Sequence, residues 1–210
     1  MKDDVVKVQN AFFSVFYKEG IVDMGRTLSE AGVGLYSSGG TARELRAAGL
    51  EVTDVESYTG YPALFGHRVV TLHPKVHGGI LYRRGHEQDI AEAREHGIQS
   101  IDLVVVNPYP FGKVVEKIEN GELKEDGTPY TFDDAIEAID IGGPTLVRGA
   151  AKNFAYVGAV VDPSDYDSVA REIAAIGGLT LERRRELSIK VFDIMGAYNR
   201  EIADFLENKK

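Results

Sequence analysis

Ile101 to Val106, Ile-Asp-Leu-Val-Val-Val, is the segment that most constrains the fold. A nearly continuous aliphatic and β-branched run has no face to give to water. It predicts a central strand covered on both sides, as in parallel α/β sheets. Ala11 to Phe16, Val33 to Tyr36, Val52 to Val55 and Tyr156 to Val161 predict further strands. Between the first two, Ile21, Met24, Gly25 and Leu28 fall at helical spacing, and another helix runs through Leu45 to Ala48. Strands alternating with helices predict an α/β fold with a mostly parallel sheet and helices on both faces.

Two regions break that rhythm. Tyr58 to Gly79 has little periodicity and many Gly, Pro and His residues, and long irregular loops in compact domains are usually functional. Glu119 to Tyr130 reads as an exposed polar excursion. From Thr180 to Leu206, apolar residues at Leu187, Val191, Ile194, Met195, Tyr198, Ile202 and Phe205 define a long amphipathic helix. It is read as packing on its own domain, with a second subunit as the alternative.

Composition excludes several classes. A net charge of −9 argues against a broad phosphate-backbone surface, hence against nucleic acid as partner, while leaving room for a small cationic pocket. The absence of cysteine excludes disulfides, cysteine-zinc sites and thiol nucleophiles. Met1, Lys2, Asp3 and Asp4 open the chain without an apolar signal core, and no apolar run approaches membrane-span length. A cytoplasmic protein without a membrane partner is the expectation.

Four motifs carry chemistry. Ser37-Ser38-Gly39-Gly40-Thr41 follows a strand and opens a helix, where N–H and O–H donors meet an anion at the positive helix end. An ordinary strand-to-helix turn is the alternative. Arg68 to Gly79 brings cations, His73, His77 and two glycines together. The His73–His77 spacing would suit a metal on a helix, but Pro74 between them argues for substrate contact or loop support instead. Asn107-Pro108-Tyr109-Pro110-Phe111 ends the strong strand, where open α/β sheets bind ligands.

The fourth motif runs from Asp140 through Ile141, Gly142, Gly143 and Pro144 to Lys152 and Asn153. Pro144 suits a first helical turn, and the glycines allow close approach of a small, polar, anionic ligand. Asp140 and Lys152 are natural partners for proton handling. However, a straight helix from Pro144 to Lys152 would separate its ends by about 12 Å, so acting on one atom would need a break or a fold back.

In this order the motifs resemble the inosine-monophosphate cyclohydrolase domain of the bifunctional purine-biosynthesis protein. Ser14 with Lys18-Glu19-Gly20, Ser38 to Ala42, Tyr58 to Pro62, Arg68-Val69 with Thr71 to Pro74, Val76 to Leu81, Asn107 with Tyr109 to Phe111, and Asp140 to Asn153 carry the likeness. The resemblance implies a methylglyoxal-synthase-like, Rossmann-like sandwich and a homodimer. It implies one cyclohydrolase domain over residues 1–210, with a helical extension at about 180–207. The family's formyltransferase domain is absent from the sequence, which therefore reads as a stand-alone cyclohydrolase or as one domain of a longer protein; a separate formyltransferase is expected in the pathway.

The implied reaction is dehydrative closure of the formylated aminoimidazole carboxamide ribonucleotide to inosine monophosphate, without cofactor or metal. By position, Tyr109, Asp140 and Lys152 resemble the proton-handling group. Ser14, Lys18, Ser38, Gly39, Gly40, Thr41 and Thr71 resemble the phosphate and ribose cradle, and Arg68 and Asn107 the residues around the base. Gly142 and Gly143 belong to the same binding set. Val70 stands where the family usually has a catalytic lysine, with Lys75 the nearest substitute. Phe16, Tyr17 and Glu19 also depart from the family. These departures leave a second reading, a purine-nucleotide-binding or regulatory module of impaired catalysis. The segment from Asp140 to Asn153 argues against methylglyoxal synthase itself.

Overall fold

The computed structural model describes residues 5–208. The charged start, Met1 to Asp4, lies outside them. Five parallel strands make the main sheet: β2 (Asn10–Val15), β3 (Gly34–Ser37), β4 (Thr53–Asp54), β5 (Leu103–Asn107) and β6 (Gly158–Val160), in the order β4-β3-β2-β5-β6. The run Leu103 to Val106 is fully buried, as an unbroken apolar strand requires.

Side-chain alternation along the central strands divides the core in two. Ala11, Phe13 and Val15 of β2, with Leu103 and Val105 of β5, face one side. There α1 (Ile21–Glu30), α2 (Gly39–Ala47) and α9 (Tyr166–Ile176) cover them with Met24, Leu28, Leu45 and Ile173. Phe12, Val104 and Val106 face the other side. They meet α4 (Pro74–Leu81) and α8 (Gly142–Lys152) through Val76, Ile80, Leu146 and Val147. Phe12 and Phe13 are both completely buried. Each contributes roughly 1.5–3 kcal/mol of burial, so the sheet is held equally from both faces.

Around this frame lie α3 (Val55–Thr59), α5 (Glu87–Glu95), α6 (Phe111–Glu119) and α7 (Phe132–Glu137). The last helix, α10 (Leu181–Asn208), packs over α8 through Val191, Met195, Tyr198 and Phe205. Its seven periodic apolar residues all turn toward its own chain, with Ile194 and Ile202 partly buried. Buried Arg184 fastens the start of α10 by donating to the carbonyls of Phe154 and Ala155, at 2.8 and 3.2 Å, and of Leu179. No helix among the described residues is long and apolar enough to cross a membrane.

The sequence reading differs from the structure in three places. The predicted strand at Val52 to Val55 shrinks to two residues, because Asp54 caps a helix that Val55 begins; its carboxylate accepts from Glu56 N–H at 3.0 Å. Inside the supposedly irregular Tyr58 to Gly79 stretch, Pro74 opens α4. Gly78 and Gly79 are interior to that helix because a Cβ would lie 2.9 Å from Ile98 and 2.5 Å from the carbonyl of Gln99. The glycines serve close packing there, not a turn. Finally, β1 (Val5–Lys7) pairs antiparallel with β7 (Gly178–Thr180) in a small second sheet that the apolar pattern does not announce.

Candidate active site

A cavity of about 940 Å³ opens at the carboxyl ends of β2, β3 and β5. Parallel strands place ligands there because helix N-termini converge at that edge. Ser14, Lys18, Ser38, Gly39, Gly40, Thr41, Arg68, Thr71, Asn107, Tyr109, Asp140, Gly142 and Gly143 all line it. Lys152 does not. It is the exposed last residue of α8, which runs unbroken from Gly142, so the two ends lie about 15 Å apart. The break that would bring Lys152 back to Asp140 is absent.

One part of the cavity lining is cationic. Gly39 takes φ +55, a left-handed conformation open to glycine, and starts α2 with no side-chain cap from Ser38. The first N–H groups of the helix lack intrahelical acceptors. Buried Thr41 braces this turn: its hydroxyl donates to Val15 carbonyl at 3.0 Å and accepts from Val15 N–H at 3.2 Å. Lys18 donates to the same hydroxyl at 3.1 Å and to the carbonyls of Val15 and Phe16. Burial lowers the pKa of Lys18, and Arg43 pushes the same way against Glu44. Arg43 also lines the cavity one turn into α2. Sequence reading missed it, although a cation three residues beyond Gly40 is the available signal.

The lining also holds a carboxylate. Asp140 precedes α8 and accepts from Gly143 N–H at 3.0 Å. Burial raises its pKa, while the N–H groups of Gly143, Tyr109 and Gly142 oppose the rise. A Cβ on Gly143 would stand 2.6 Å from Asp140 Oδ2, and one on Gly142 would stand 2.9 Å from Thr71 Oγ1. The glycine pair therefore exists so that Asp140 and Thr71 can approach the helix start. Tyr109 sits beside them, its ring edge-on to Phe16 at 4.5 Å.

Asn107 has a different task from contact with a base. Its Oδ1 accepts from the N–H groups of Phe16 and Tyr17 at 2.7 and 2.8 Å. Its Nδ2 donates to Tyr17 carbonyl at 3.1 Å and Tyr166 Oη at 3.0 Å. All four side-chain bonds of the amide are thus in use, and they fix the loop that carries Lys18. Arg68 stands at the rim and is forked onto Glu137 of α7, with Nε to Oε2 at 3.1 Å. It rides a tight hairpin closed by Leu64 and Val69, in which Phe65 and His67 take φ 54 and 71. Non-glycine residues in that region carry backbone strain, so the rim is held in a specific shape.

Val70 lies in the cavity wall. Lys75 does not replace the missing lysine, since its ammonium donates to Tyr58 carbonyl at 3.2 Å and does not line the cavity. Phe16 faces Tyr109, and exposed Glu19 lies outside the cavity lining, so no carboxylate from Glu19 opposes an anion there. His73 caps α4, its Nδ1 accepting from Lys75 N–H at 3.1 Å, which is the loop-holding role.

A parallel α/β sheet thus carries one cavity lined by an uncapped helix start and by a half-buried carboxylate. Residues 20–145 match the MGS-like domain, and residues 150–210 match the AICARFT/IMPCHase bienzyme family. The chain belongs to the MGS-like domain family. It is also similar to the crystal structure of ForH, with 38% identity, a TM-score of 0.79, and coverage of 95% of this chain and 97% of that one.

Proposed function

We propose that this chain, as a single domain, closes 5-formamido-4-imidazolecarboxamide ribonucleotide to inosine monophosphate. The observation that carries the reading is one cavity lined both by a helix N-terminus with Lys18 and Arg43 and by half-buried Asp140 with Tyr109. A ribonucleotide monophosphate bears both an anion and a reacting heterocycle, for which the cationic helix start and the carboxylate are suited respectively.

The reaction needs no covalent enzyme intermediate. The carboxamide nitrogen attacks the formyl carbon and gives up one proton as the C–N bond forms. The C–O bond of the resulting carbinol then breaks as the formamide nitrogen gives up its proton, and the oxygen leaves as water. Holding the two groups together supplies much of the acceleration. Asp140 takes a proton from the attacking nitrogen, which its raised pKa favours. Tyr109 donates toward the formyl oxygen. Gly39, Gly40 and the Ser14 and Ser38 hydroxyls receive phosphate and ribose with Lys18, while Thr41 and Asn107 hold the receptor loops in shape.

The family resemblance implies a proton-handling role for Lys152. On an unbroken α8 it can serve only the cavity of a second copy, consistent with the proposed homodimer. Mixing inactive Asp140→Asn and Lys152→Ala chains tests this: shared sites restore part of the activity, and sites confined to one chain restore none. A second reading, nucleotide binding without turnover, is favoured by Val70 and the diverted Lys75. Calorimetry with inosine monophosphate, beside ultraviolet detection of ring closure, separates the two. Binding with turnover supports the cyclohydrolase, binding without turnover the silent module, and no binding contradicts both.

A further inference from the structure

Asp140 lies in the short irregular segment between α7 and α8, where neither a helix nor a strand provides an acceptor for its N–H. The acceptor is Tyr198 Oη, 2.9 Å away and 58 residues further along the chain. Tyr198 is buried on the inner face of α10, its ring in the same apolar cluster as Leu146, Val147 and Met195. Burial raises the phenol's pKa, so the oxygen meets Asp140 as a neutral hydroxyl.

The consequence is geometric. Fixing the N–H of Asp140 fixes the peptide plane from which its side chain departs. The carboxylate can then rest against Gly143 N–H, where the absence of a Cβ leaves room for it. A misplacement of about 1 Å can cost roughly a hundredfold in rate, so a single backbone anchor is worth having at the base.

We propose that Tyr198 is a positioning residue for Asp140, by which the last helix of the chain sets the geometry of the proton-accepting carboxylate. This rests on the reading of Asp140 as the reaction's base. Tyr198 is not itself among the residues that line the cavity and reaches it only through the backbone of Asp140.

Tyr198→Phe keeps the ring and removes only the acceptor. Its kcat is expected to fall about tenfold, within the range a displaced base allows, while KM and the affinity for inosine monophosphate stay within about twofold, as the role demands. In an Asp140→Asn background the same substitution is expected to cost nothing further, because the two act as one unit. Unchanged kcat, or an equal loss in both backgrounds, would overturn the proposal.

Amide hydrogen exchange of the intact chain supplies a readout that does not need turnover. Asp140 N–H should exchange at least about tenfold faster in Tyr198→Phe, with strand amides such as Val104 unaffected. Unchanged exchange at Asp140 overturns the anchor. A wild-type chain that binds nucleotide but never closes the ring overturns the cyclohydrolase reading, and with it the catalytic purpose of the anchor, even where the exchange rises.

Discussion

Asp140 shows how a small set of residues makes one carboxylate useful. Burial raises its pKa, and three backbone N–H groups keep it able to ionise. The balance predicts the pH profile. The base form is lost as pH falls through a pKa above the ordinary 3.8, so kcat/KM should decline on the acid side before that value is reached. On the alkaline side Lys18 loses its proton below the ordinary 10.5, so KM should rise there, as steady-state kinetics across pH would show. Gly143→Ala puts a methyl group 2.6 Å from Asp140 Oδ2. We expect at least a tenfold loss of kcat, with stability changed by no more than about 1 kcal/mol because alanine suits a helix better than glycine. Unaltered turnover would mean that the carboxylate can sit elsewhere. At this scale the sequence was legible as to which residues line the cavity: the residues themselves pointed to Asp140 and its glycines, whereas Lys18 came only from the resemblance. It was less legible for Asn107 and Tyr198, whose partners lie 91 and 58 residues away.

Among the elements, the loop after β2 and the helix α10 depend most on side chains from elsewhere. Asn107→Ala removes four hydrogen bonds and frees the backbone of Phe16 and Tyr17. It should cost about 2–3 kcal/mol in urea unfolding, from exposed-to-burial imbalance of the freed groups. It should also weaken inosine monophosphate binding about tenfold in calorimetry, because Lys18 follows the same loop. Lys190 of α10 joins Asp162 and Asp165 at 2.8 and 2.7 Å. That pairing, first among the causes, lowers Asp162 to about 2. Its stabilisation is present above the ordinary carboxylate pKa of 3.8 and is lost as pH falls through about 2. Since Lys190 and Asp162 are each about a third exposed, Lys190→Met should cost only about 0.5–1 kcal/mol at neutral pH, and progressively less as pH falls through the Asp162 pKa, by thermal melting. The strands were legible because apolar runs signal them directly. Helix α4 was hidden because its glycines serve packing, and β1 with β7 because three-residue strands leave almost no pattern.

Among the described residues, the molecule is built on one doubly covered main sheet, with a second helical layer on one side and the small β1–β7 pair beside it. Phe205 near the end of α10 lies between the rings of Phe111 and Phe132, at 5.5 Å from each. Phe205→Ala should lower stability by about 3 kcal/mol, and by detaching the far end of α10 should also loosen Tyr198. The alternation of strands and helices foretold the parallel sheet and the long last helix, and the periodic residues of that helix foretold which face is buried. The failure of Lys152 to reach its own cavity was also legible, since the rise of an unbroken helix already separates it from Asp140. What the sequence could not show is which residues hold others in place, because those bonds depend on the assembled fold. The most direct measurement is kcat for the wild-type chain and for Asp140→Asn, with the formylated carboxamide ribonucleotide as substrate and inosine monophosphate followed in the ultraviolet. The account predicts wild-type turnover on the order of 1 per second or more and at least a hundredfold loss in Asp140→Asn, with inosine monophosphate affinity retained. Equal turnover in the two chains, or none in the wild type, would contradict it.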